Sequence, residues 1–136
     1  MAQPLGHVLA TWWKDHPQPP TDVIVPVPLH PERLHQRGYN QTALLAHHMS
    51  RATGIPVAEH MLIRTRNTGS QMRLAAEARR QNVAEAFLCP DGYARGKHVL
   101  VLDDVCTTGA TLEACADALH AADAATVHAL TLARTP

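Results

Sequence analysis

The stretch Val99-Leu100-Val101-Leu102-Asp103-Asp104-Val105-Cys106-Thr107-Thr108-Gly109-Ala110-Thr111-Leu112 decides the fold. Four consecutive apolar residues predict a strand buried on both faces. Two acids follow where that strand is expected to end. A small, hydroxyl-rich turn then opens a helix over Thr111–Ala122, with Leu112, Cys115, Ala116 and Leu119 on one face. In open α/β sheets such a turn lies at the carboxyl edge of the sheet, where ligands bind. The helix N-terminus offers backbone N–H groups and a positive dipole end to an anion. Thr107, Thr108 and Thr111 add hydroxyls, and Gly109 permits close backbone approach. Side by side, Asp103 and Asp104 repel, and burying both needs partners such as vicinal sugar hydroxyls or a divalent cation. A phosphate pocket beside diol acceptors describes a ribose 5-phosphate site. The spacing alone also fits a blander arrangement, in which the two acids cap the helix and Thr107–Thr111 is an ordinary turn.

Working outward, strands and helices alternate. Leu5, Val8, Leu9, Trp12 and Trp13 follow a helical pattern over residues 5–14, which the proline-rich run His16–Pro20 ends. Val23-Ile24-Val25 reads as a short buried strand closed by Pro26, Pro28 and Pro31. A helix is expected from about Asn40 to Thr53, with Leu44, Leu45, His48 and Met49 on its apolar side and Gly54 just past its end. Val57–Arg64 holds a weaker strand, and polar Thr65–Ser70 reads as a mobile loop. Leu74–Gln81 is expected as a short helix and Val83–Leu88 as a short extended piece. Turn residues lead to a strand at His98–Leu102, and Thr126–Leu132 is the last strand. This alternation implies a mostly parallel sheet covered on both faces.

Composition narrows the class. The 136 residues suit one domain, and 12 Lys+Arg balance 12 Asp+Glu. That zero hides a polarity: residues 31–80 carry eight Arg against three Glu, while residues 99–136 carry five acids against one Arg. No apolar run reaches the roughly 20 residues of a membrane span. The N-terminus lacks the pattern of a secretory leader, being interrupted by His7, Lys14, Asp15 and His16. Three cysteines out of CxxC spacing argue against a disulfide framework or a zinc knuckle. The expectation is a soluble cytoplasmic protein without membrane insertion.

The segment 99–112 resembles the phosphoribosyl-pyrophosphate-binding signature of type I phosphoribosyltransferases: four hydrophobics, two acids, two variable apolars, then Thr-Thr-Gly-x-Thr. Cys106 stands where a larger apolar or aromatic residue is common. Pro26-Val27-Pro28-Leu29-His30, Arg33, Arg37-Gly38-Tyr39-Asn40-Gln41 and Leu44-Leu45-Ala46 further resemble the ComF/GntX group. So do Arg64, Arg66, Thr68, Gln71, Leu74, Arg79, Asn82 and Ala86-Phe87, and the similarity runs from about Asp22 to Arg134.

The resemblance implies a type I phosphoribosyltransferase fold: a mostly parallel sheet of about five strands flanked by helices, with a small flexible hood. Residues 1–20 would be an N-terminal helix and proline-rich linker, and residues 21–136 the phosphoribosyltransferase-like domain. It implies phosphoribosyl pyrophosphate (PRPP) as ligand, with Mg²⁺. Asp103 and Asp104 would hold the ribose diol and meet the metal indirectly or through the substrate. Thr107, Thr108, Gly109, Ala110 and Thr111 would seat the 5-phosphate. Leu29 and His30 would face the pyrophosphate, joined there by Arg37, Arg64 and Arg79. Asp103, Asp104, Arg64 and Arg37 make up the implied catalytic set. Many members begin with a cysteine-rich zinc segment that has no counterpart in these residues, so zinc is not carried over.

Two functions follow. The first is an enzyme that transfers a phosphoribosyl group to or from a nitrogenous base, with pyrophosphate leaving. The second is a module that senses a phosphoribosyl ligand without turnover and serves natural competence and DNA uptake. The partners in view are PRPP, a base, a second copy in a homodimer, and the DNA-uptake machinery. Direct nucleic-acid binding is poorly supported, because such sites pair a basic groove with stacking aromatics and only Tyr39 lies in the basic region. Arginines on exposed helix faces commonly stay solvated, as expected for Arg51 and Arg95.

Overall fold

A computed structural model describes residues 8, 11–16, 18–28, 41–64, 87–90, 92–106 and 109–134. Among them, β1 (Val23–Pro26) is followed by α1 (Gln41–Thr53), β2 (Ile63–Arg64), β3 (Phe87–Leu88), β4 (His98–Cys106), α2 (Ala110–Ala121) and β5 (Thr126–Arg134). The sheet has the order β1-β4-β5, with both pairings parallel. A second sheet is the antiparallel pair β2–β3. The expected α/β architecture with a mostly parallel sheet is therefore present. The expected helix at 74–81, the loop at 65–70 and residues 83–86 lie outside the described residues.

β4 is the central strand, and its alternation sorts the core. Val99 and Val101 point into a cluster with Val23, Val25, Phe87, Cys115 and Leu119 on the α2 side. Leu100 and Leu102 point the other way, into a cluster with Trp13, Ile24, Leu45, Ala46 and Met49 on the α1 side. Helices on both faces explain why the strand reads as an unbroken apolar run rather than an alternating one. Trp13 is core, whereas Trp12 is 43% exposed and stacks on His16 with ring centroids 4.4 Å apart.

Capping and clasping hold these layers in register. Gly54 takes φ +80° after α1 and donates its N–H to Ser50 O at 2.8 Å, the left-handed closure expected of that glycine. Asp22 grips the start of β4 from both sides of its own residue. Its N–H donates to His98 O and its Oδ2 accepts the His98 N–H, each at 2.8 Å. The His98 ring Nδ1 lies 2.8 Å from Thr126 Oγ1, linking β4 to β5. All three strands are thus tied at their amino ends. No helix among the described residues is long and apolar enough to cross a membrane.

Three expectations need correction. First, β4 and β5 each run past their predicted ends, to Cys106 and Arg134, because they continue to pair with one another after β1 has finished. Asp103 and Asp104 are therefore strand residues by backbone. Second, Val57–Arg64 is split into a single parallel bridge, Val57 to Ile24, a turn, and the two-residue β2. Ile24 uses both its N–H, to Pro56 O, and its O, to Ala58 N–H. The next donor on that edge would be Pro26, which has no N–H, so the ladder stops. Third, Leu44 is 46% exposed and His48 only half-buried, while Thr42, Ala43, Leu45, Ala46 and Met49 are buried. The core-facing stripe of α1 is rotated away from Leu44.

This rotation is measurable. Leu45→Ala deletes a fully buried side chain and should lower the unfolding free energy by about 3 kcal/mol. Leu44→Ala should change it by less than about 0.5 kcal/mol. Equal losses in urea denaturation would place Leu44 back in the core.

Candidate functional site

The carboxyl ends of β1 and β4 meet. Pairing between them finishes at Pro26 and Leu102, and Val27 N–H closes the ladder on Leu102 O at 2.9 Å. This brings the start of the Pro26–His30 loop beside the point where Asp103 and Asp104 begin. Val27 is buried and Pro28 half-buried. Leu29 and His30, where the pyrophosphate contacts are expected, lie outside the described residues. So do Arg37, Arg79, Thr107 and Thr108, as well as the side chain of Asp104.

α2 follows β4 in the chain and is opened by Gly109. Gly109 is the N-cap, in the left-handed region at φ 82°, ψ −6°, and its carbonyl accepts the Glu113 N–H at 2.9 Å. A side chain at this φ is strained, yet a Cβ built there would meet nothing within 4 Å. Backbone conformation rather than crowding therefore demands the glycine. Gly109 itself offers no side chain to cap this helix end, and the half-buried Ala110 and Thr111 open its first turn. The positive end of the α2 dipole lies here, a feature that suits an anion.

Asp103 is half-buried, and the alternation of β4 places it on the Val99/Val101 face, toward α2. Arg64 reaches that face from β2. It pairs in register with Phe87 of β3, and its guanidinium carbon lies 5.2 Å from the Phe87 ring centroid. Arg64 Nε is buried. Both charges act on Cys115, a fully buried α2 residue. Burial pushes the Cys115 thiol up from its ordinary 9.0 to about 12, the Asp103 carboxylate adding to the rise and the Arg64 guanidinium opposing it. Two residues 39 positions apart in the chain, one from the basic middle and one from the acidic end, thereby both act on one buried thiol.

Sequence reasoning assigned Asp103 and Arg64 to one ligand, met Phe87 only as part of the family pattern and gave Asp22 no role. Phe87 carried no signal of its role, because the β2–β3 pairing joins positions separated by the long segment 65–86. Cys115 was legible only as an apolar helix residue. Among the described residues, no group of three or more His, Cys, Asp or Glu could hold a metal ion. A cation at this site would need ligand oxygens besides the two aspartates.

The state of Cys115 is open to a direct check. A thiol raised in the fold contributes stability below about pH 9, and that contribution fades as pH climbs toward about 12. At pH 8, iodoacetamide should leave Cys115 unmodified in native protein and label it on unfolding. Native labelling at the rate of a free thiol would contradict the burial.

Comparison with known proteins gives the family. The family described as phosphoribosyl transferase domain matches residues 43–136. A relative from Escherichia coli O157:H7 named DNA utilization protein YhgH is 39% identical over 114 residues, which is 84% of this chain and 50% of that protein. Competence protein ComFC of Bacillus subtilis is 36% identical over 115 residues, 83% of this chain and 45% of its own length. The chain thus spans about half the length of the curated relatives it matches. Among solved structures, a glutamine PRPP amidotransferase from B. subtilis, complexed with ADP and GMP, superposes with TM-score 0.64 at 26% identity. That match covers 96% of this chain and 26% of the amidotransferase. Adenine phosphoribosyltransferase from Leishmania donovani superposes with TM-score 0.59 at 18% identity, over 99% of this chain and 53% of its own, a likeness of fold. With residues 43–136 matched, the central strand and its Gly109 turn in place, and relatives named for competence and DNA utilization, the chain belongs to the phosphoribosyl transferase domain family.

Proposed function

We propose that this protein binds PRPP at the carboxyl end of β4 and transfers its phosphoribosyl group to or from a nitrogenous base, with pyrophosphate as leaving group. The observation that carries this reading is the path from β4 through Asp103-Asp104 to the left-handed Gly109 and the start of α2. In it, Thr107, Thr108, Gly109, Ala110 and Thr111 seat the 5-phosphate on backbone N–H groups and hydroxyls. Asp103 and Asp104 accept hydrogen bonds from the ribose hydroxyls. Arg64, with Arg37, Arg79 and the backbone of Leu29 and His30, carries the negative charge of the pyrophosphate as it departs. Arginine suits that task because its planar fork pairs two phosphate oxygens and stays charged.

The donor set also fits Mg²⁺. Magnesium is commonly held by one or two carboxylates together with substrate phosphates, so Asp103 and Asp104 suffice when PRPP supplies the remaining oxygens. When bound, the ion neutralises part of the pyrophosphate charge. The protein's own contribution is orientation and fixed charge: the diol and 5-phosphate anchor the sugar, and the arginines wait where charge develops.

The names of the relatives favour a second reading, in which the same site senses a phosphoribosyl ligand without turnover and serves competence and DNA uptake. The two are separated by what happens after binding.

Calorimetric titration with PRPP and Mg²⁺ should detect binding to the wild type. Asp103→Asn and Asp104→Asn should each weaken it roughly tenfold or more, the usual cost of losing a charge-assisted hydrogen bond. Asp104→Ala combined with Thr108→Ala should abolish it. Pyrophosphate release in a screen of free bases supports the enzyme, and binding without release for any base supports the sensor. Absence of binding, or affinity unchanged in the variants, overturns the site.

A further inference from the structure

Arg64 packs its guanidinium over one aromatic ring, that of Phe87. Arg64 ends β2, Phe87 begins β3, and the two are register partners, so the segment 65–86 leaves and returns across this pair. On the outward side of the ribbon the neighbouring pair, Ile63 and Leu88, is 44% and 54% exposed. The inward side is different: Phe87 is 5% exposed, packed in the α2-side core with Val99, Val101 and Cys115, and the Arg64 guanidinium carbon stands 5.2 Å from its ring centroid. A long arginine side chain has many rotamers to lose on binding an anion. A ring face that attracts the cation removes part of that freedom beforehand.

We propose that Phe87 is the positioning residue for Arg64, its ring holding the guanidinium at the base of segment 65–86 so that an anionic phosphoryl ligand at the end of β4 meets an arginine already oriented. This rests on the PRPP reading above for the ligand and on the geometry alone for the stacked pair. Phe87 does not touch the ligand; it acts through Arg64.

The test compares Phe87→Leu, which keeps an apolar side chain in the core but removes the π face, with Phe87→Tyr, which keeps the face. Two readouts are used on the full chain. The first needs no ligand: the Arg64 Nε–Hε NMR resonance, assigned by its loss in Arg64→Ala, should show a ring-current shift in wild type and Phe87→Tyr. It should lose that shift in Phe87→Leu. The second is titration with PRPP and Mg²⁺. Phe87→Leu should weaken binding roughly three- to tenfold, Phe87→Tyr should bind like wild type, and Phe87→Leu should cost nothing further once Arg64 is alanine. An unshifted resonance in wild type, wild-type affinity in Phe87→Leu, or a loss that adds fully to that of Arg64→Ala would overturn the proposal. If wild type shows the ring-current shift but ignores PRPP, the ligand reading fails while the stacked pair stands.

Discussion

Everything in this molecule hangs on β4 being hydrogen-bonded along both edges and buried on both faces. Parallel pairing to β1 and β5 leaves its backbone satisfied up to Leu102, and the two core clusters take its side chains alternately. Such a strand cannot slip by one residue without turning Val99 and Val101 toward α1 and Leu100 and Leu102 toward α2. The clasp of Asp22 on His98, and the contact of His98 with Thr126, fix the same register from the amino end. The consequence appears at the other end. Where β1 stops at Pro26, β4 continues on β5 alone and delivers its two aspartates beside the Val27 loop.

Charge then follows from topology. The chain is neutral as a whole, yet its basic residues crowd positions 31–80 and its acids the last 38 residues. Folding carries Arg64 from the first group and Asp103 from the second to the same α2-facing side, where both bear on the Cys115 thiol. Under the proposed function these two charges divide the ligand between them, Asp103 accepting from ribose hydroxyls and Arg64 neutralising phosphoryl oxygens. The buried thiol beneath them is protonated and inert, a packing residue in a place where a charge would be costly.

Much of this was legible from residues alone. Val99–Leu102 declared a two-faced strand and Gly54 the end of α1, because each is a local matter of pattern or steric freedom. Gly109, by contrast, was read for close backbone approach, and its left-handed conformation emerges only in the fold. Less legible was what depends on neighbours distant in sequence. The strand continues through Asp103 and Asp104 because β5 runs alongside. The weak strand after Val57 breaks because Pro26 on the adjacent strand cannot donate. Leu44 looked like a core residue from its helical spacing, but the packing of α1 on Ile24, Leu100 and Leu102 selects Leu45, Ala46 and Met49 instead. The meeting of Arg64 with Phe87 is of the same kind, a long-range pairing with no local signature.

The central claim is that ligand binding is confined to the carboxyl end of β4. An amide chemical-shift map of the ¹⁵N-labelled protein, recorded while PRPP and Mg²⁺ are added, tests it most directly. Saturable shifts should gather at Val27 and from Asp103 to Thr111, leaving Asp22, His98 and Thr126 at the opposite end of the sheet unmoved. Shifts centred on Asp22, His98 and Thr126, or none at Asp103–Thr111 with ligand in excess, would contradict it.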